Sequence, residues 1–309
     1  MIPLFMGSQR KWRAYMALIA VYFFWGTTYL AIRMALEACP PILLIGSRFL
    51  LSGGIILVIA VLSGAKLPAG RELWLTALFG IIALGGGNGT LVFAEQWIPS
   101  GIAALFVTTS PFWMVGIESL RSNGDRIRSS TLIGIGVGFL GIIVLVGPAA
   151  FGAGIGPALV QGFVVLQFGA FCWCLGSVLQ KNQPTKAHPV VSGAIQQLAT
   201  GLTVLPFALG TNHPPVQWNH RGIWAIAYLV VFGSIVGYSA FIYAMEHLPV
   251  AVVSTYAYVN PIVAVFLGWL FYREPFGIRE LFAMCLVITG VVIVKYFGHA
   301  TPKAREASV

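Results

Sequence analysis

The segment "YAYVNPIVAV" (256–265) places an asparagine and a proline side by side inside a long apolar run. Proline lacks a backbone N–H and clashes with the preceding helical turn. Asparagine is costly in apolar surroundings unless it is hydrogen-bonded. The segment "FVTTSPFWMV" (106–115) has the same layout 150 residues earlier, with Pro111 in the place of Pro261. Two matched helix-breaking sites within apolar runs indicate an internal repeat.

The composition is that of a membrane protein. The chain has 309 residues, of which 58% are hydrophobic and 9% are charged, whereas soluble domains average about 25% charged residues. The net charge is +9, but the basic residues lie between apolar runs and form no patch, so we expect a lipid bilayer and no nucleic acid as partner. No metal-ligand cluster or acid–base pair falls at membrane depth. We therefore expect no metal, no cofactor and no enzyme activity.

Ten segments have the length of membrane-spanning helices, which need about 20 mostly apolar residues. Their apolar runs are continuous and do not alternate, which favours helices over a β-barrel. The sequence therefore predicts an all-α membrane protein with ten transmembrane helices. The predicted spans are 12–33, 41–63, 72–94, 98–119, 131–147, 156–179, 189–210, 222–244, 249–271 and 278–295.

Basic residues between the spans predict the orientation. With a cytoplasmic N-terminus, thirteen lysines and arginines lie on the inner side and four on the outer side, namely Arg33, Arg221, Arg273 and Arg279. In membrane proteins, cytoplasmic loops carry more lysine and arginine than the loops on the outer side. We expect a multi-pass protein of the cell inner membrane with both termini in the cytoplasm, including a tail at 296–309.

The internal repeat extends over most of the chain. Trp25 matches Trp173 at an offset of 148, and Pro111 matches Pro261 at an offset of 150. This predicts two halves, 12–147 and 156–295, with five spans each. Because five is odd, the second half is inverted relative to the first, as in many secondary transporters. Further matched pairs are Arg33 with Lys181, Pro41 with Pro189, Trp74 with Trp224, Gly87 with Gly237, Ala94 with Ala244, and Pro99 with Pro249.

Helix-breaking residues in corresponding spans of inverted halves are the best sequence indication of a transport site. Irregular backbone at membrane depth is tolerated where protein covers it or where it lines a wet cavity. We therefore expect hinge or gating positions at Pro111, Pro261 and the consecutive glycines Gly85, Gly86 and Gly87.

Polar and aromatic residues near these breaks also correspond between the halves, as Asn88 does with Tyr238. Tyr256 and Asn260 are four residues apart and share a helix face. Taken singly, each such residue is equally typical of ordinary packing in membrane helices. As a set, they predict a substrate cavity. The predicted substrate-binding residues are Trp25, Tyr29, Arg48, Asn88, Thr108, Ser110, Trp173, Ser177, Tyr238, Tyr256, Tyr258 and Asn260.

Arg48 is the ionisable residue that lies deepest within a predicted span. Such residues are functional candidates. Arg48 either contacts a substrate carboxylate, or ties helix carbonyls together, or extends its charged end to the membrane surface. Its repeat mate is Gln196, so the charge is not duplicated. Glu95 and Glu118 lie at span ends, on the outer and inner sides. Either could carry a proton, but span-end glutamates are usually solvated, and we expect solvated side chains here. A proton remains a candidate for the coupling ion.

The fifth predicted span contains Gly134 and Gly138, a pair of small residues four apart. Such pairs allow membrane helices to approach closely. The pair could join two copies of the chain or pack within one bundle. We expect the second arrangement, and a monomer.

The order of these residues resembles the drug/metabolite transporter superfamily, in particular its EamA-type, YedA-like permeases. The resemblance implies ten helices around a central cavity lined by helices 1, 3, 4, 6, 8 and 9. One departure is Cys174, which stands where the first half has Gly26. The stretches that carry the resemblance are "WGTTYLAIR" (25–33), "PPILLIGSRFLLSGG" (40–54), "GNGTLVFAEQWIPSGIAAL" (87–105), "GSIVGYSAFIYAMEHLPVAVVSTYAYVNPIVAVFLGWL" (233–270) and "REP" (273–275).

The sequence thus predicts an inner-membrane carrier that works by alternating access and exports a small amphipathic metabolite such as an amino acid. Efflux of hydrophobic cations or drugs is one alternative, and it requires a functional acid at the site. A non-transporting scaffold or sensor that holds a lipid is another.

Overall fold

The structure is a computed structural model that describes residues 2–120, 129–151, 156–274 and 277–297. All regular secondary structure in these ranges is helical. The predicted tail at 296–309 lies almost entirely outside the described residues.

The helices follow one another along the chain. In two places a π-helical segment connects two α-helices directly. The α-helices are α1 (Ile2–Leu36), α2 (Pro41–Leu62), α3 (Arg71–Gly80), α4 (Gly89–Ala94), α5 (Ser100–Val107), α6 (Ser110–Ser119), α7 (Ser129–Phe151), α8 (Gly156–Lys181), α9 (Pro189–Gly210), α10 (His220–Tyr228), α11 (Gly237–His247), α12 (Val250–Val253), α13 (Tyr256–Tyr272) and α14 (Ile278–Phe297). The π-helical segments are Ile81–Asn88, between α3 and α4, and Leu229–Val236, between α10 and α11.

Seven helical segments in the described part of the chain are long and apolar enough to cross a membrane. The apolar stretches Leu132–Gly141 and Val259–Tyr272 are shorter. An all-helical membrane protein is therefore confirmed, whereas the count of ten spans stays a prediction. The seven segments are Lys11–Leu36, Pro41–Leu62, Arg71–Ala94, Ser100–Ser119, Pro157–Lys181, Pro189–Gly210 and His220–His247.

The two π-helical segments occupy nearly corresponding positions. Ile81–Asn88 and Leu229–Val236 are offset by 148 residues, two fewer than the 150 that relates Gly87 to Gly237. π-helical turns widen a helix locally and often occur at functional sites. The sequence indicated a bend at the glycines of the first segment. The structure instead places a π-helix there and a second one in the other half, where only Gly233 is glycine.

Two further helices are interrupted near their prolines. The first interruption, at Thr108 and Thr109, ends just before Pro111, which sits in the first turn of α6 where a missing N–H costs nothing. The second lies at Ser254 and Thr255, whereas Pro261 is inside α13. In this half the break therefore precedes the proline by more than one turn. It is stabilised by the Thr255 hydroxyl, which donates to the carbonyl of Val252.

Two of the three consecutive glycines allow α8 to approach closely. A Cβ atom on Gly86 would lie 2.9 Å from Cβ of Cys172, and one on Gly87 would lie 2.8 Å from Cβ of Trp173. On Gly85 the nearest atom, in Thr200, would be 3.7 Å away, an ordinary contact. Gly86 and Gly87 are thus required by packing, and Gly85 is not.

Helices α7 and α14 pack along each other through glycines. A Cβ atom on Gly290 would lie 2.4 Å from the carbonyl oxygen of Gly134, and one on Gly141 would lie 2.7 Å from that of Ala283. Gly134 and Gly141 of α7 are therefore used for contacts within the chain.

Candidate functional site

A central cavity lies where the two halves meet. Its enclosed space is about 70 Å³, below the range of about 300–1,000 Å³ that is typical of small-molecule sites, so a solute would require the cavity to widen. Its lining comes from α1, α2, both π-helical segments, α4, α5, α6, α8, α11 and α13. The predicted site residues that line it are Trp25, Tyr29, Arg48, Gly87, Asn88, Ser110, Trp173, Tyr238, Tyr256 and Asn260.

Other predicted site residues do not line this cavity. The hydroxyl of Thr108 donates to the carbonyl of Leu105 in its own helix, 2.5 Å away. Ser177 lines a separate pocket beside Lys181, so its predicted correspondence with Tyr29 does not bring it to the central cavity. Tyr258 belongs to α13, but its side chain lies outside the described part of the structure. The remaining residues absent from the lining are Gly85, Gly86, Pro111 and Pro261.

Arg48 is 4% exposed and projects from α2 into the cavity. Its Nε donates to Oγ of Ser234 at 2.7 Å, and its Nη1 donates to Oδ1 of Asn88 at 3.5 Å. Gly233 makes room for it, because a Cβ atom there would lie 2.9 Å from Nη2. Among the described residues no carboxylate is paired with this guanidinium. A buried charge without a counterion is costly, so a ligand with a negative group would be favoured here.

Four aromatic rings of the cavity lining pack around a fifth, that of Phe241. Phe241, fully buried, is central, with ring centroids 5.0 Å from Trp25, 5.1 Å from Trp173, 5.8 Å from Tyr256 and 6.1 Å from Tyr238. These are the distances of favourable aromatic pairs. Phe241 itself does not line the central cavity, but it lines the separate pocket beside Lys181. We call these five rings the aromatic floor, since they separate the central cavity from that pocket.

The two tryptophans of the aromatic floor differ in their hydrogen bonding. The indole Nε1 of Trp25 donates to the carbonyl of Gly233 at 3.0 Å. The indole Nε1 of Trp173 is buried and has no acceptor among the described residues. Buried polar groups normally have a partner. Trp173 therefore offers a free donor on the same cavity as the Arg48 guanidinium.

Asn260 accounts for the unusual Asn–Pro pair. When its side-chain amide is oriented so that both the oxygen and the nitrogen have suitable hydrogen-bond partners, the nitrogen donates to the carbonyls of Tyr22 at 3.2 Å and Tyr256 at 3.1 Å. It thereby joins α13 to α1 just after the interruption at Ser254 and Thr255. The asparagine is thus both part of the cavity lining and a support for the broken helix.

A charged cluster joins three helix ends beyond the cavity. The Arg33 Nη1 lies 3.2 Å from the Glu274 carboxylate. That carboxylate also accepts from the backbone N–H and the hydroxyl of Ser100, at 3.2 and 3.0 Å, and from the N–H of Gly101 at 3.2 Å. We call the Arg33–Glu274 ion pair with these bonds the clamp. It ties the end of α1 to the start of α5 and to the residues after α13.

Glu95 is not solvated, so the expectation for this residue was wrong. It follows the last residue of α4 and is 4% exposed, and neither of its oxygens has a hydrogen-bond partner among the described residues. Burial raises the pKa of its carboxyl, and the positive charge of Arg33 opposes that rise. The expectation rested on the position of Glu95 at the end of a predicted span. That position does not show that the loop after α4 packs against the protein interior.

Several lining residues were not predicted as site residues, among them Thr28, Phe49, Gly233 and Ser234. Ser234 was noted as sharing a face with Tyr238 but was not chosen. A usable signal was the spacing of Gly233 and Gly237, which lets bulky side chains of α1 and α2 reach this helix: a Cβ atom on Gly237 would lie 2.6 Å from Nε1 of Trp25.

A family profile described as "EamA-like transporter family" matches this chain twice, over residues 12–147 and 161–296. The chain belongs to the EamA-like transporter family. This confirms the resemblance seen in the sequence. Members of the EamA-like family are transporters, so a membrane transporter is the function class of this chain, and an enzyme is not what the family implies.

Relatives in this family support the same class. The chain is 35% identical to "Uncharacterized inner membrane transporter YedA" of Escherichia coli K12, over 93% of this chain and 92% of that protein. It is 25% identical to "Uncharacterized transporter YvbV" of Bacillus subtilis, over 98% and 97%, and 25% identical to "Protein PecM" of Dickeya dadantii, over 88% of each. A crystal structure with 21% identity has the same fold, with a TM-score of 0.71 over 92% of this chain and 97% of its own.

Proposed function

We propose that this protein is an inner-membrane secondary transporter that exports a small amphipathic metabolite with a carboxylate, such as an amino acid. It works by alternating access of the central cavity. The cavity lies between two inverted five-helix repeats, 12–147 and 156–295, in a chain with ten spans. The matched π-helical segments and the interrupted helices in each half support this arrangement.

The observation that carries the substrate class is the unpaired Arg48 guanidinium. Among the described residues, the lining of its cavity contains no aspartate or glutamate. Trp173, whose indole N–H has no acceptor among those residues, lines the same cavity. Two donors and no acid favour a ligand that brings its own anionic acceptor. The aromatic floor supplies a large apolar surface for the rest of the solute.

The same two features weigh against efflux of hydrophobic cations. Such a substrate needs an acid at the site, and the Arg48 charge would repel it. Glu95 is a buried acid, but it does not line the cavity. The cavity therefore favours a carboxylate-bearing solute over a hydrophobic cation.

Basic residues between the spans support a cytoplasmic N-terminus and C-terminus. In this orientation the aromatic floor closes the cavity toward the cytoplasm, and the clamp holds its outer end. The packing of Gly134 and Gly141 against α14 supports a monomer, because these small residues are already used.

A panel of solutes tests the proposal. The purified protein is reconstituted into proteoliposomes, which are loaded with labelled solutes. The panel contains amino acids, the corresponding amines without the carboxylate, and the corresponding acids without the amino group. We expect exchange for at least one carboxylate-bearing solute and none for the matching amine. Equal flux of an amino acid and its amine would refute the carboxylate requirement, and no flux of any solute would favour the scaffold.

A further inference from the structure

Glu95 is a buried carboxyl group that the transport scheme above does not use. Neither of its oxygens has a hydrogen-bond partner among the described residues. An isolated ionised carboxylate in low-dielectric surroundings is so unfavourable that the group takes up a proton instead. The surroundings of Glu95 therefore fit its neutral form.

The position of Glu95 links the cavity to the clamp. Tyr29, which lines the cavity, and Arg33, which belongs to the clamp, are one turn apart on α1. Glu95 lies within electrostatic range of both residues and of Glu274. On its own helix, the cavity-lining residue Leu91 precedes it by one turn. Glu95 is thus placed between the substrate site and the contact that closes its outer end.

We propose that Glu95 is the proton-binding site of this transporter and that its protonation decides whether the clamp stays closed. The proposal deepens the proposed function, because it names the residue that would couple export to a proton. It uses the orientation proposed above, with the clamp on the outer side.

The charges near Glu95 give the direction of the effect. When a proton from external water is bound to one carboxylate oxygen, Glu95 is neutral. The Arg33 guanidinium then pairs with the Glu274 carboxylate alone. When that proton returns to water, two carboxylates compete for one guanidinium. One buried negative charge is then uncompensated, which is strongly unfavourable. Opening the outer end lets water reach Glu95, so deprotonation favours the open state.

The opening of the outer end can be measured without knowing the substrate. Leu91→Cys is introduced into a variant whose natural cysteines, Cys39, Cys172, Cys174 and Cys285, are replaced. In nanodiscs, its reaction with a membrane-impermeant thiol reagent is followed from acidic to alkaline buffer. The same cysteine is also measured in a variant that carries Glu95→Gln. Dividing the labelling rate with Glu95 by the rate in the Glu95→Gln variant removes the pH dependence of the thiol itself.

We expect the normalised rate to rise with pH by about tenfold, the change that a bias of roughly 1.4 kcal/mol produces in a two-state equilibrium. Glu95→Gln should stay slow, and Glu274→Gln should be fast at every pH because the clamp is broken. The matched control Glu118→Gln, which changes the other span-end glutamate, should keep the parent profile.

A rate ratio that is flat with pH, or a pH profile retained in Glu95→Gln, overturns the proposal. If Glu95→Gln is not recovered as a monodisperse protein, Glu95→Asp replaces it. A midpoint that moves in Glu95→Asp supports the site, and an unchanged midpoint overturns it. Because the assay needs no solute, failure of the solute panel would refute the proposed function without deciding this result.

Discussion

Replacing Arg48 by glutamine separates a binding role from a structural role. The change removes the buried charge but keeps a side chain that can still donate to Ser234 or Asn88. Hydrogen bonds to charged groups contribute about 1.5–3 kcal/mol. At about 1.4 kcal/mol per tenfold change, the apparent affinity for a carboxylate-bearing solute should fall roughly 10- to 100-fold.

Stability should respond differently. Arg48 has no ion-pair partner among the described residues, and an uncompensated buried charge is itself destabilising, so removing that charge costs little stability. The Ser234 hydroxyl can turn to a carbonyl of its own helix. We therefore expect the free energy of unfolding in detergent to fall by less than about 1 kcal/mol, the size of a single net hydrogen bond.

The assay combines proteoliposome exchange with thermal unfolding of the purified variants. Arg221→Gln serves as a control, since it removes an arginine from a half-exposed ion pair with Glu37. Unchanged affinity in Arg48→Gln would refute the carboxylate anchor. A loss of several kcal/mol in stability together with transport would show instead that Arg48 mainly holds the helices together.

Further substitutions at three places test the packing and the cavity. Gly86→Ala should lower the free energy of unfolding by roughly 1–3 kcal/mol, the usual effect of overpacking, while Gly85→Ala, with its nearest neighbour 3.7 Å away, should unfold at the parent's temperature. Asn260→Ala should lower stability by roughly 1–2 kcal/mol, since two hydrogen bonds to carbonyls are lost, and a fully stable variant would contradict this role. Phe241→Ala should lower stability by about 3–5 kcal/mol and make a thiol at Trp173→Cys accessible from the cytoplasmic side. An unreactive thiol would show that the aromatic floor does not depend on Phe241.

Many of the residues that line the central cavity could be predicted from the sequence, because the two halves of the sequence resemble each other. Trp25, Trp173, Tyr238 and Asn260 were found from matched positions and helix faces, and all of them line one cavity. The periodicity of an apolar helix says which residues share a face, and the repeat says which helices meet at the centre.

Other features depend on contacts that no local pattern carries. The π-helical segments were not predicted, since a π-turn adds one residue to a turn without a characteristic residue type. Ser177 was placed by correspondence with Tyr29, but the two halves differ in shape, and Ser177 faces a second pocket. Glu95 was assigned to solvent because it follows a span, yet packing of the loop covers it.

The arrangement of two inverted halves is tested most directly by the sidedness of matched positions. Glu37 and Thr185 are exposed, lie just beyond α1 and α8, and are offset by the repeat distance of 148 residues. Single cysteines at these positions, in a variant without the natural cysteines, are labelled in intact cells with a membrane-impermeant thiol reagent. Inverted halves predict that Glu37→Cys is labelled from outside and that Thr185→Cys is labelled only after the membrane is opened. Labelling of both cysteines from the same side would contradict the account.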